Sequence, residues 1–179
     1  GTSRRMAVMP VVFDGTVWTH YSQLQLTTGA ASVEDPRDAF DGQENGLCGA
    51  SLPGALFMRT GIHTGYVQVR VSTLDTAPEL GLWEEIVEAS FQPEGPDAVL
   101  SGWSGDSAAS FQLTASAYRA RWCASGMEEG RRQDVADEAH PAPDRYALYL
   151  WPAPASADAV VRRTSAIAAY WHNDASPRS

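Results

Sequence analysis

Along most of the chain, apolar and polar residues alternate with the period of two that marks a half-buried strand. From His20 to Thr27, Leu24 and Leu26 fall on one face and Gln23 and Gln25 on the other. YVQVRV (66–71) sets Val67, Val69 and Val71 on one side, and AYRARW (117–122) turns Tyr118, Ala120 and Trp122 inward and Arg119 and Arg121 outward. ALFMRT (55–60), AVLSGW (98–103) and SFQL (110–113) read as further short strands, with a turn at His63-Thr64-Gly65. VVF (11–13) and TVW (16–18) flank Asp14-Gly15, a dipeptide that favours tight turns, so a hairpin is predicted there. LWEEIVEASFQ (82–92) contains good helix formers, but Pro93 stops it quickly and its neighbours are strands, so a strand is predicted. Its alternation places Glu84, Ile86, Glu88 and Ser90 on one face and Trp83, Glu85, Val87, Ala89 and Phe91 on the other.

Asp144 to Trp171 is the stretch on which the remaining strands are expected to pack. Tyr146, Leu148 and Leu150 share one strand face and Ala147, Tyr149 and Trp151 the other, so a central strand covered on both sides is predicted. A proline-stiffened corner, PAPAS, follows. Ser156 or Asp158 is then expected to cap an amphipathic helix carrying Val160, Val161, Thr164, Ile167, Ala168 and Trp171. Two regions lack periodicity. Thr28–Gly54 is a long loop, mobile or functional by its length, holding one short helix between Asp35-Pro36 and Gly42. Ala124–Pro143 is polar and reads as a surface excursion. About eight short strands and one C-terminal helix predict a mostly-β fold, a two-layer β-sandwich, with a mixed α+β sheet as the alternative. A length of 179 residues suits one domain spanning 1–179, with frayed tails at 1–9 and 173–179.

Charge adds one feature. The formal net charge is −9, and all 13 basic residues are arginine. Residues 71–117 hold eight acids and no base, so nearly all the excess lies in this middle quarter. That balance disfavours direct nucleic-acid binding and suits a basic protein partner. No run of 18 apolar residues and no apolar leader core is present, so the expected location is the cytoplasm and no membrane association is expected.

Candidate chemistry is sparse. Cys48, between glycines in NGLCGA, is the one nucleophile worth weighing, with His63 or His172 as its base, but it carries no family signature. Cys48 and Cys123 are expected to be separate thiols. His20, His63, His140 and His172 show no metal spacing, Asp41 and Glu44 read as ordinary turn acids, and no phosphate-binding glycine loop exists, so neither metal nor cofactor is expected. Of six tryptophans, Trp83, Trp122, Trp151 and Trp171 fall on apolar faces, whereas Trp18 and Trp103 lie beside turns and are candidates for an exposed contact patch. Glu84 and Glu88, which share a strand face two residues on either side of Ile86, are candidates for meeting a basic partner.

HYSQLQL (20–26), GALFMRTGIHTGYVQVRV (54–71), WEEIVEASF (83–91), AYRARW (117–122) and RYALYLWPAP (145–154) together resemble the competence protein J (ComJ) family, bacterial inhibitors of a competence nuclease. The matching pieces cover under half the chain and bring no functional residue with them. The resemblance implies a non-enzymatic acidic binding protein that inhibits, in the manner of an immunity protein, a basic protein such as a nuclease. The alternatives are a small-molecule-binding sandwich that uses the 28–54 loop with Trp18 as the lip of its pocket, and a cysteine hydrolase built on Cys48.

Overall fold

The computed structural model describes residues 10–102 and 107–175. Eleven strands among these residues form two sheets. The first has the order β1 (Val11–Thr19), β5 (Gly65–Thr73), β10 (Arg145–Pro152), β9 (Tyr118–Ser125), β6 (Glu85–Phe91) and β11 (Ala159–Arg162). The second runs β3 (Cys48–Gly49), β4 (Ala55–Arg59), β2 (Gln23–Thr28), β7 (Asp97–Ser101) and β8 (Ser107–Gln112). Leu24, Leu26, Met58 and Leu100 of the second sheet meet Val67, Val69, Val71, Trp122 and Leu148 of the first in a shared core. Each such side chain contributes about 1.5–3 kcal/mol by leaving water. The sandwich is therefore the fold.

β10 is the interior strand its two apolar faces predict. It pairs parallel with β5 and antiparallel with β9. Tyr146, Leu148 and Leu150 are buried in the core, and Trp151 on the opposite face lies under the Arg121 guanidinium, 4.9 Å from Cζ to ring centre.

Three local expectations are corrected. Asp14-Gly15 does not turn. It lies in the middle of β1, where Asp14 opposes and pairs with Arg70, because β5 offers an unbroken partner from Gly65 to Ser72. The chain turns instead at Tyr21-Ser22. Second, Val160 and Val161 do not begin a helix. β-branched residues suit a strand, and this segment becomes the edge strand β11 beside β6. The helix, α2 (Ala166–Ala175), starts later and includes residues 173–175, which were expected to fray. Ser165 Oγ accepts from Ala168 N, while the Glu85 carboxylate accepts from the amides of Thr164 and Ser165. Asp158 caps nothing on α2; it accepts from the backbone amides of Glu44 and Asn45. Third, the polar 124–143 region contains a helix, α1 (Met127–Gln133), with Met127 and Gly130 buried against the body. A Cβ at Gly61 would come within 2.1 Å of the Met127 carbonyl oxygen, so the approach of α1 depends on glycine there.

The 28–54 loop holds a short helical turn where one was expected, between Asp35-Pro36 and Gly42. Its regular content is one 3-10 turn, Asp38–Phe40, and the strand β3. Buried polar side chains order it: Asn45 Oδ1 accepts from Leu47 N and Cys48 N, and Gln43 spans the Cys48 carbonyl and the Ala50 amide. Residues 1–9 and 176–179 of the expected tails lie outside the described residues.

Candidate functional site

Where β1 passes into β2 the chain changes sheets in three residues, His20 to Ser22. His20 bridges Gln23, and Tyr21 and Ser22 between them have φ of 55° and 57°. A type I′ turn requires positive φ at both central residues and is normally filled by Asn-Gly. Tyrosine and serine there cost on the order of 1 kcal/mol each. The turn is held in place by Thr60–Gly65: Ser22 N donates to the His63 carbonyl, Ser22 Oγ to the Ile62 carbonyl, and Thr60 N to the Ser22 carbonyl. That second turn is in turn held by Asp134, whose carbonyl accepts from the amides of His63 and Thr64 at 2.9 and 3.0 Å. Asp134 itself has φ of 69°. Thus all three non-glycine residues with positive φ, among the described residues, meet at one corner of the sandwich. Strain gathered in this way is a mark of functional surfaces, since folding alone gains nothing from it.

The base of the corner is a buried polar knot. Asp144 Oδ2 accepts from Gly61 N at 3.1 Å, from Ile62 N at 2.9 Å and from the Tyr146 hydroxyl. Burial pushes the Asp144 carboxyl up, against those hydrogen bonds, and pushes the Tyr146 hydroxyl well up too. Tyr146 stacks on Trp122 with ring centres 4.9 Å apart, which ties the knot to the core.

Above it lie the accessible groups. Thr64 Oγ1 stands 2.7 Å from His20 Nδ1 and 2.8 Å from His63 Nδ1. The hydroxyl has a single proton to give, so at most one of the two Nδ1 atoms accepts from it and at least one ring donates. The Tyr21 ring packs on both imidazoles, 4.1 Å from His20 and 5.1 Å from His63. Next to them Trp18 and Tyr66, paired across β1 and β5, meet edge to face at 5.1 Å and are 38% and 60% exposed. A cleft of about 640 Å³ opens beside His63, between the Thr60–Gly61 backbone, α1 and the start of α2. Its walls include Ser22, Arg131, Arg132, Asp134 and Tyr170.

The sequence-based candidates fare unevenly. Trp18 is partly exposed beside the Tyr21-Ser22 turn. Trp103 lies outside the described residues. Glu84 is exposed, with its carboxylate accepting from Gly126 N at 2.6 Å. Glu88 is not free: its two oxygens bond Arg119 Nε at 3.0 Å and Arg121 Nε at 2.8 Å, and its side chain is 15% exposed. The outward arginines of β9 are buried under neighbouring segments, with Arg121 also donating to the Pro78 carbonyl. The expected pair of open carboxylates is thereby corrected; burying an ion requires a partner, and β9 supplies two.

Cys48 is fully buried and burial pushes its thiol up to about 12, so the accessible nucleophile is corrected as well. Cys123 is buried too, its thiol likewise pushed up to about 12. Among the described residues no group of three or more metal-ligating side chains comes together. Sequence reading missed Tyr21, Tyr66 and the His20–Thr64–His63 contact. Their one signal was that HYS and HTG both sit at strand ends, which places histidines in turns but does not pair them.

No family model matches the chain, and no curated protein sequence matches it. Two solved structures share its fold. One is ComJ from Bacillus subtilis, described as an inhibitor of the DNA-degrading activity of NucA, at 12% identity and a TM-score of 0.57, covering 82% of this chain and 100% of ComJ. The other is the product of crocagin biosynthetic gene J, at 17% identity and a TM-score of 0.53, covering 79% of this chain and 96% of that one. At such identities the likeness establishes the fold, and it places the ComJ resemblance at the level of strand order and packing.

Proposed function

We propose that this chain is a non-enzymatic binding protein that docks a basic protein, such as a nuclease, through the corner formed by Trp18, Tyr21 and Tyr66. The observation that carries this reading is the set of exposed aromatic rings mounted on a backbone that holds all three described positive-φ side-chain residues. Rigid aromatic side chains supply much contact area for little lost entropy and dominate hot spots in protein interfaces. The net charge of −9 favours fast association with a basic partner, and ComJ, whose fold is shared, inhibits a nuclease.

The test is capture from the native host on the immobilised chain, beside a Trp18→Ser/Tyr66→Ser control, with identification by mass spectrometry and an assay for DNA degradation. The reading expects a basic protein held by the wild type and released by the control, with its nuclease activity suppressed on binding. Equal capture by both proteins refutes the proposed surface.

A further inference from the structure

The outer face of β4 carries an unusual cation. Arg59 points away from the core beside Phe57, and the 37–46 segment and α2 close over it. Its guanidinium carbon lies 4.1 Å from the centre of the Trp171 ring, 5.0 Å from Phe57 and 5.6 Å from Phe40. Three aromatic faces thus hold the cation in place. Among the described residues the guanidinium makes no ion pair, and Arg59 Nε is buried without an acceptor. Trp171 Nε1 is a second buried donor with no acceptor. Buried donors of this kind are rare and each costs about 1–3 kcal/mol. Both residues line a hollow of about 470 Å³, whose walls also include Phe40, Gly46, Asp41 and Asp174. That volume lies within the range of small-molecule sites.

We infer that this hollow binds a small monocarboxylate with an apolar body. A carboxylate only accepts hydrogen bonds, and it matches the fork of N–H groups on a guanidinium in shape and charge. The rings of Phe40 and Trp171 offer a flat apolar surface for the rest of the ligand. The rim carries the exposed carboxylates of Asp41 and Asp174 against one further cation, Arg37, which is already paired with Asp35, so it opposes a second negative charge and monoanions are selected over dianions. This site is separate from the Trp18 corner and uses Trp171 in the place where sequence reading expected Trp18 beside the 28–54 loop.

The test is a titration of the whole protein with benzoate, followed through the Arg59 Nε–H and Trp171 Nε1–H resonances, with benzamide and phthalate as the neutral and dianionic controls. Burial of both groups slows their exchange with water, which keeps the signals observable. The expected result is a saturable shift of both signals with benzoate, and binding at least roughly tenfold weaker for each control, the loss that one charge-assisted hydrogen bond accounts for. Arg59→Met abolishes the Trp171 response, and Trp18→Ser/Tyr66→Ser leaves it intact, so this site and the docking corner fail independently. No saturable benzoate shift in the wild type overturns the inference, as does an equal response to benzamide. So does an Asp174→Asn change that moves the Arg59 signal of the free protein as far as benzoate moves it, because Asp174 would then already be the acceptor.

Discussion

The two flanks of the six-stranded sheet treat their polar groups in opposite ways. At the β6–β11 flank the acids that make the sequence look like a charged face are used inside the fold. Glu85 caps the approach to α2, Glu88 joins Arg119 and Arg121, and Glu84 accepts from the Gly126 amide. At the β1 flank the Asp14–Arg70 pair stays exposed and strain is tolerated: Trp18 and Tyr66 face solvent, and Tyr21 and Ser22 hold positive φ. An acidic run in sequence therefore says where charge is placed along the chain, not where it reaches solvent. Buried ions recruit partners, whereas backbone strain costs stability and gathers where a surface binds.

The largest expected effect tests the first half of that contrast. Glu88→Ala leaves two buried guanidinium groups without their carboxylate and should lower stability by about 3 kcal/mol or more, read from the urea midpoint. A loss under about 1 kcal/mol would place Glu88 with ordinary surface acids and erase the distinction between the flanks.

A pH effect should follow at the seam between the 43–48 loop and α2. His172 Nδ1 accepts from Gly46 N at 2.9 Å, and burial holds its pKa down at about 4 against a usual 6.5. Below pH 6.5 the unfolded chain takes up a proton that the folded one refuses. The His172 contribution is thus complete above 6.5 and is lost as pH falls toward 4. His172→Gln should show a shallower decline of the denaturation midpoint across that window, and an identical slope contradicts the assignment.

Relief of strain is a smaller effect with a telling sign. Asparagine tolerates the left-handed region, so Tyr21→Asn should leave stability unchanged or raise it by up to about 1 kcal/mol while weakening partner binding. Destabilisation together with full binding would make the turn a structural device. The smallest effect concerns the thiols: with both cysteines buried, neither should react with an aromatic disulfide reagent in the native state, and both should react on unfolding.

Much of the fold was legible because strands with one buried face carry a period-two pattern. β2, β5 and β9 follow that pattern in sequence from Leu24 through Trp122, and β10 was legible from its two apolar faces. The failures share a cause in tertiary pairing. Asp14-Gly15 reads locally as a turn, but a nine-residue partner strand overrides two residues of turn preference. Val160 and Val161 fit a helical stripe until β6 offers its open edge. Trp18 was legible as a contact candidate from its place beside a turn. Tyr66 was not, since its exposure depends on β5 lying next to the outermost strand, and neither was the meeting of His20 with His63, which lie on two separate crossings between the sheets.

The most direct measurement of the central claim is the binding kinetics of the captured partner on three surfaces: wild type, Trp18→Ser/Tyr66→Ser, and Glu84→Gln. If the aromatic corner is the interface, the double serine variant loses at least about 2 kcal/mol of affinity, mainly through faster dissociation, and keeps its denaturation midpoint. Glu84→Gln then changes only the association rate, modestly and less as salt is added. If instead Glu84→Gln abolishes binding and the serine variant binds as the wild type does, the acidic flank is the interface and the account is wrong.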